Sequence, residues 1–420
     1  MLRAPGFYYR DQELHCEGMP LSGLAKKFGT PLYVYSATTI RERFRIFERA
    51  FAGARRTICY SVKANSNLAV LALLHRLGAG FDVVSGGELA RVLKVDRRAS
   101  RNVVFSGVGK TEQEMAAALR AGILLFNVES EGELAVLARC AAHTKKKARV
   151  ALRVNPHIET ETHPYISTGL RQHKFGVAIE QAPGLYARTA REKYLEAAGI
   201  SVHIGSQITD VEPFRQAMLC VGELVRQLAG EGRVLRYVDA GGGLGIAYQG
   251  EDDFNRRAEA YAQAVLAPLR ALRVHLLLEP GRALVGPAGV LLSRVLYIKS
   301  NDHKRFVIVD AAMNDLLRPA LYAAHHEIVP VANPERSSKA EVDIVGPVCE
   351  TGDFLARDRQ MPALSEGELL AVLDTGAYGM SLSSNYNSRG RPAEVMVEGT
   401  KVRLVRSRET AADVMRGERR

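Results

Sequence analysis

Cysteine is scarce in this 420-residue chain. The five present, Cys16, Cys59, Cys140, Cys220 and Cys349, are odd in number, widely spaced and never arranged as Cys-x-x-Cys. That excludes a disulfide-stapled scaffold and leads us to expect a reduced, cytoplasmic setting. Long hydrophobic runs are also missing: none reaches the roughly 18 apolar residues of a membrane span. The first 20 residues carry Arg3, Arg10, Asp11 and Glu13 and no apolar stretch, so no secretory signal is expected. There is no repeat of solenoid length, and no zinc-finger spacing or nucleic-acid aromatic motif. The chain does hold a surplus of base, 57 Lys+Arg against 46 Asp+Glu, for a net charge of +11. Part of it lies in 401–420, with seven basic and three acidic residues, and part in Lys145-Lys146-Lys147. Scattered charge of this kind reads as solvated surface. Neither nucleic acid nor membrane is expected as a partner.

What is present is an ordinary globular composition, 47% hydrophobic and 25% charged. Length over about 150 residues per domain predicts two or three domains. Eight short apolar, β-branched runs begin near Ile58, Gly80, Asn102, Leu124, Ala148, Ile200, Tyr237 and His275, with helical segments between them. Such alternation predicts a parallel sheet covered on both faces. Eight βα units in this length match a (β/α)8 barrel, with an open doubly wound sheet as the competing arrangement. Leu68, Leu71, Leu74 and Leu77 read as one helical stripe. Thr111 with Glu114, and Ser130 with Glu133, have capping-box spacing. The long interval 156–199, holding His163-Pro164-Tyr165 and Gly169, reads as an inserted functional loop. After about Gly286 the rhythm turns to strands, at Val290–Ile298, Phe306–Val309, Leu369–Leu373 and Val395–Val397. The expected organisation is a (β/α)8 barrel over 36–285 and a second, mainly β domain built from 1–35 plus 286–420. In it, Phe7–Cys16 would form a strand able to join the C-terminal sheet.

Several strand ends carry residues with chemistry. Lys63 ends the first barrel strand in Tyr60-Ser61-Val62-Lys63-Ala64-Asn65. A lysine there points into the barrel mouth, and desolvation lowers its pKa toward Schiff-base chemistry. The plainer alternative is a lysine reaching to solvent from a strand end. Gly241-Gly242-Gly243 follows the seventh strand, where bare backbone can approach an anion. The eighth strand ends in Glu279-Pro280-Gly281-Arg282. A carboxylate leaving an apolar strand needs a cationic partner. A protonated ring nitrogen would serve, and so would a nearby arginine. His203 and Ser206 end the sixth strand, where an imidazole can lie against a planar ring and a hydroxyl can meet a phosphate. A reactive lysine, a phosphate cradle, a ring neighbour and a carboxylate for a ring nitrogen together suit pyridoxal 5'-phosphate (PLP). No metal is implied.

With these motifs the sequence resembles the alanine-racemase-type PLP-dependent decarboxylases. His163-Pro164-Tyr165-Ile166-Ser167-Thr168-Gly169, Arg318-Pro319-Ala320-Leu321-Tyr322, Cys349-Glu350-Thr351-Gly352-Asp353 and Gly376-Ala377-Tyr378-Gly379 make it similar, within them, to the diaminopimelate decarboxylases. The match runs in order over nearly the whole chain. The resemblance implies that Lys63 carries PLP as a Schiff base, Glu279 keeps the pyridine nitrogen protonated and His203 stacks on the ring. It places Ser206, Gly241, Gly242, Gly243, Gly281, Arg282 and Tyr378 around the cofactor. It implies a homodimer with shared active sites, in which Cys349 of one copy is the proton donor in the other. It implies meso-2,6-diaminopimelate as substrate, with Arg282, Arg318, Tyr322 and Tyr378 at its distal end. Glu350 would meet the distal ammonium. Residue chemistry agrees with that division, since a carboxylate calls for a guanidinium fork and an ammonium for a carboxylate. Ornithine-type relatives take a substrate without the distal carboxylate and would have no use for the arginine. Two departures stand out: Gly390 where the family often has Pro, which puts the rigidity of that loop in doubt, and Thr351 where Ser is common.

Overall fold

A computed structural model describes residues 6–158, 174–250, 253–332 and 339–419. The chain divides into two compact units: one of 44–246 and 253–283, the other of 1–43, 247–252 and 284–420.

The first unit is a closed parallel barrel. Its strands are β1 (Arg56–Ser61), β2 (Gly80–Val83), β3 (Val103–Phe105), β4 (Leu125–Val128), β5 (Ala148–Asn155), β6 (Leu195–Ser201), β7 (Tyr237–Asp239) and β8 (His275–Leu278). Each pairs with the next, and β8 pairs with β1 through Leu276–Arg56, Leu277–Thr57 and Leu278–Ile58 to close the ring. The short strands are almost wholly buried because side chains point alternately to the barrel interior and to the helical ring. Val177–Ala178 adds a two-residue strand on β5. The central part of the expected loop 156–199, including His163-Pro164-Tyr165 and Gly169, lies outside the described residues.

Two local expectations need correction. In the helix Leu68–Arg76 the buried residues are Val70, Leu71, Leu73 and Leu74, while Leu68 is exposed and Leu77 is the C-cap. At about 100° per residue, strict three-residue spacing drifts roughly 60° per step, so Leu68 and Leu77 fall on opposite sides. The box at Thr111 and Glu114 is complete, with both reciprocal bonds made. At Ser130 only half of it forms: Ser130 caps the Glu133 amide, but the Glu133 carboxylate turns to Lys110 and the Glu129 amide instead.

The second unit is mainly β. Its sheet runs Phe354–Pro362, Lys339–Val345, Arg305–Val309, Gly289–Ser300, Leu32–Ser36, Ala393–Glu398 and Lys401–Arg406. Gly289–Ser300 is long enough to pair with Leu32–Ser36 and Leu369–Val372 in its first half and Arg305–Val309 in its second. Phe7–Cys16 is not a single strand of this sheet. It turns at Asp11 and Gln12, both at positive φ, into a hairpin that makes a separate three-stranded sheet with Met19–Pro20. Phe7, Leu14 and Cys16 still reach a common core with Val34, Leu292 and Val395. Leu32–Ser36 is the N-terminal segment that enters the large sheet.

Candidate active site

Lys63 sits in a single 3-10 turn, Val62–Ala64, directly after β1 at the C-terminal mouth of the barrel. Its ammonium lies 2.6 Å from Asp82 Oδ2, and the Asp82 side chain is wholly buried. Strand register sets this up: Ser61 is opposite Asp82, and Ser201 is opposite both Asp239 and Arg153. A polar layer therefore closes the top of an otherwise apolar barrel. The Ser61 hydroxyl is 2.9 Å from Asp82 Oδ2. Asn127 Nδ2 donates to Asp239 Oδ2 at 2.7 Å and lies 3.4 Å from Glu279 Oε1. The Ser106 hydroxyl is 3.3 Å from the same Glu279 oxygen.

The electrostatics of this layer are unbalanced. Asp82, Asp239 and Glu279 are buried, and Lys63 is the cation set among them. Burial, with the Asp239 and Asp82 carboxylates beside it, pushes the Glu279 carboxyl well above its ordinary range. Burial likewise raises Asp239. A further cation set among these three carboxyls would favour their ionised forms, and a protonated ring nitrogen is one. The residues present thus fit the expected pyridine cofactor. A cavity of about 520 Å³ is lined by Lys63, Ser106, Arg153, His203 and Glu279 among others.

His203 is held by the glycine turn. The Gly242 amide donates to its Nδ1 at 3.1 Å. Burial, then the charges of Arg153 and Lys63, lower its pKa well below the usual imidazole value, so the ring is neutral. The Gly241 amide goes to Asp239 Oδ1 at 2.9 Å. Two of the three glycine amides are therefore engaged inside the barrel. A side chain at 241 would strike the Val202 carbonyl, one at 242 the Glu279 carbonyl and one at 243 the Gly205 carbonyl, and Gly241 and Gly243 are at positive φ. The run is glycine so that this loop can lie flat on the ends of β6 and β8. Gly281 follows Pro280, whose carbonyl accepts the Ser61 amide at 3.1 Å. The buried Arg282 opens a short helix, Arg282–Val285, and donates from Nη2 to the Ser206 hydroxyl at 3.2 Å.

Asp82, Ser106, Asn127, Asp239 and Arg153 escaped the sequence reading. Arg153 pairs with Glu129 at 3.0 Å and stacks over Phe175 at 4.9 Å. The available signal was a single polar residue near the end of each apolar strand, as in Gly-Phe-Asp82-Val and Leu-Phe-Asn127-Val. Such a residue is costly to bury unless the strand ends meet.

The remaining expected residues lie in the second unit. Arg318 is buried at the start of the helix Arg318–Tyr322, 2.6 Å from His326 Nε2 and stacked on Tyr248. Tyr322 ends that helix and is half-buried. Cys349 is exposed, whereas Cys16, Cys59 and Cys140 are buried. Its amide donates to Asn387 Oδ1 at 2.8 Å. Glu350 is exposed, with Tyr386 OH 3.4 Å from Oε2. Tyr378 takes φ +56°, a strained value for a bulky residue of the kind found at ligand clamps. Gly390 is pinned, not loose. A side chain there would strike the Glu409 carbonyl, and the Glu409 carboxylate accepts from the Arg391 amide at 3.0 Å and from Asn385 at 2.8 Å.

Comparison with known proteins gives consistent matches. A family model described as pyridoxal-dependent decarboxylase, pyridoxal binding domain, matches residues 37–286. The diaminopimelate decarboxylase of Pseudomonas aeruginosa is 52% identical over 98% of this chain and 98% of its own. The solved structure of diaminopimelate decarboxylase from Helicobacter pylori, complexed with L-lysine, is 41% identical with a TM-score of 0.89, covering 94% of this chain and 98% of that one. That of M. jannaschii, also with L-lysine, is 38% identical with a TM-score of 0.92, covering 99% and 98%.

Proposed function

This chain belongs to the diaminopimelate decarboxylase family of PLP-dependent enzymes, and on that premise we propose how its residues convert meso-2,6-diaminopimelate to L-lysine and carbon dioxide, the last step of lysine biosynthesis. Bound PLP supplies an electron sink for the pair left on Cα when the carboxylate departs as carbon dioxide. Lys63 would hold the cofactor's aldehyde carbon, and Asp82, 2.6 Å away, orients the amine. Glu279 would accept the hydrogen bond of the protonated ring nitrogen, with Asn127 and Ser106 aiming its carboxylate. His203, neutral and fixed by the Gly242 amide, would cover one ring face. Ser206, Gly243, Gly281, Arg282 and Tyr378 would surround the phosphate, with Gly241 and Gly242 holding the turn in shape.

The substrate's distal carboxylate would be met by Arg318 with Arg282, Tyr322 and Tyr378, and its distal ammonium by Glu350. Cys349, supplied by a second copy of the chain, would give the proton that Cα needs. This makes the homodimer the active form, with 36–285 holding the cofactor and 1–35 plus 286–420 supplying the partner's residues. The observation that carries the proposal is the buried set Asp82, Asp239 and Glu279 around one lysine, a charge arrangement completed by a protonated pyridine. The test is product analysis with diaminopimelate, ornithine, arginine and lysine, each with and without added PLP. Lysine formed from diaminopimelate, dependent on PLP, is expected. Carbon dioxide from ornithine but not from diaminopimelate would overturn the substrate assignment.

A further inference from the structure

We propose that His326 is a positioning residue for the substrate's distal end: as a neutral imidazole it fixes the Arg318 guanidinium, and it does so only while unprotonated. The inference rests on the reading of Arg318 as a partner of the distal carboxylate.

His326 is completely buried. Its Nδ1 is 2.7 Å from the Leu373 carbonyl oxygen, which can only accept, so Nδ1 carries the hydrogen. Its Nε2 is 2.6 Å from Arg318 Nη1, which can only donate, so Nε2 offers its lone pair. The two partners therefore select one neutral tautomer. A second proton on the ring would set an N–H against the N–H of a cation. Tyr248 completes the clamp. The Arg318 guanidinium lies over its ring at 4.8 Å, and the same ring meets His326 edge-on at 5.3 Å. One face of the guanidinium plane and one of its donors are thus set before any substrate arrives. A preset fork matters because a bidentate contact with a carboxylate tolerates little rotation.

Arg318 and Arg359 bring positive charge to His326. Arg318 reaches it from the helix Arg318–Tyr322, and Arg359, on the strand Phe354–Pro362, donates from Nη1 to the His326 carbonyl oxygen at 3.0 Å. Its chain neighbours His325 and Glu327 face each other at 3.3 Å, and Glu327 lies 3.7 Å from Arg359. Tyr248 adds its phenol ring.

Steady-state kinetics of the holoenzyme with diaminopimelate, from neutral to mildly acidic pH, test this. His326→Leu is expected to raise KM about tenfold, the scale of one hydrogen bond to a charged group, with kcat changed by less than about twofold. His326→Gln, whose carbonyl can replace the acceptor, is expected to recover most of that loss. Wild-type KM is expected to rise on acidification, and the Gln variant to remove that rise. An equal KM increase in the Leu and Gln variants, or a loss confined to kcat, overturns the proposal. Arg318→Ala separates the two readings. An unchanged KM in that variant overturns the assignment of Arg318 itself. A raised KM there but not in His326→Leu overturns only the role of His326. In the Arg318→Ala background, His326→Leu is expected to add nothing, and additive losses overturn the coupling. Where the Leu variant does not fold, the ring nitrogen shifts of His326 in the wild type decide. A protonated Nδ1 with a bare Nε2 supports the proposal, and the opposite tautomer overturns it.

Discussion

At the scale of single residues the barrel mouth is organised by charge. Glu279 is held above its ordinary pKa by burial and by Asp239 and Asp82, and this contributes to the pH response of the cofactor-free protein. A carboxyl raised in the folded state binds more protons there than when unfolded, so stability falls as pH rises past the ordinary carboxyl range. Glu279→Gln is therefore expected to raise the thermal midpoint of the cofactor-free protein at mildly alkaline pH more than at acidic pH, while lowering kcat at least about a hundredfold. Thermal unfolding at two pH values and a decarboxylation assay check both halves. Glu88 gives a bounded window. Burial pushes its carboxyl up to about 7 from 4.5, against the Val84 amide that donates to it at 2.8 Å. Its stability contribution is fully present below pH 4.5 and lost by about 7. Glu88→Gln, which keeps an acceptor for that amide, is expected to flatten the stability–pH curve across this interval. An unchanged curve would show that Glu88 titrates normally.

At the scale of elements, two features behind the mouth hold it in shape. The buried Lys110 donates to the Gly107 and Asn127 carbonyls and to Glu133, each at 2.7 Å, and so ties the turn after β3 to β4 and to the helix Glu131–Thr144. This is why Glu133 abandons the reciprocal half of its capping box. Removing it leaves a buried ammonium without its counter-charge. Glu133→Ala is expected to cost about 3–5 kcal/mol, read from the shift in urea midpoint. A cost below about 1 kcal/mol would mean that water reaches Lys110. The glycine turn is the second feature. Gly241→Ala has no room beside the Val202 carbonyl and a positive φ to satisfy, so a misplaced His203 and weaker PLP retention are expected. Dialysis followed by cofactor absorbance measures that retention.

At the scale of the whole molecule, the proposal requires two copies. If Lys63 and Cys349 act in one site but come from different chains, mixing inactive Lys63→Ala with inactive Cys349→Ala recovers activity. Random pairing makes half the dimers mixed, and each mixed dimer has one intact site, so about a quarter of wild-type activity is expected. No recovery under exchange conditions would place both residues in the same chain. The exposure of Cys349, against the burial of Cys16, Cys59 and Cys140, is compatible with delivery to a second copy. Burial pushes the Cys16 and Cys59 thiols up, which suits inert packing.

The sequence by itself determined the alternation of strand and helix that pointed to the barrel, because short, near-continuous apolar runs at βα spacing are local properties. It also marked Lys63, His203, Gly241–Gly243 and Glu279, because each ends an apolar strand where a polar or bare residue needs a reason. The tertiary structure decided which polar groups meet. Asp82, Asn127, Asp239 and Glu279 lie far apart in the chain and converge only through strand register and ring closure, which composition and spacing do not encode. It decided that Phe7–Cys16 folds back on itself, with Asp11 and Gln12 held at positive φ in the turn of the hairpin. It alone set the tautomer of His326, since a histidine's proton is placed by what its two nitrogens touch, and those partners, Arg318 and the Leu373 carbonyl, are brought together by the fold.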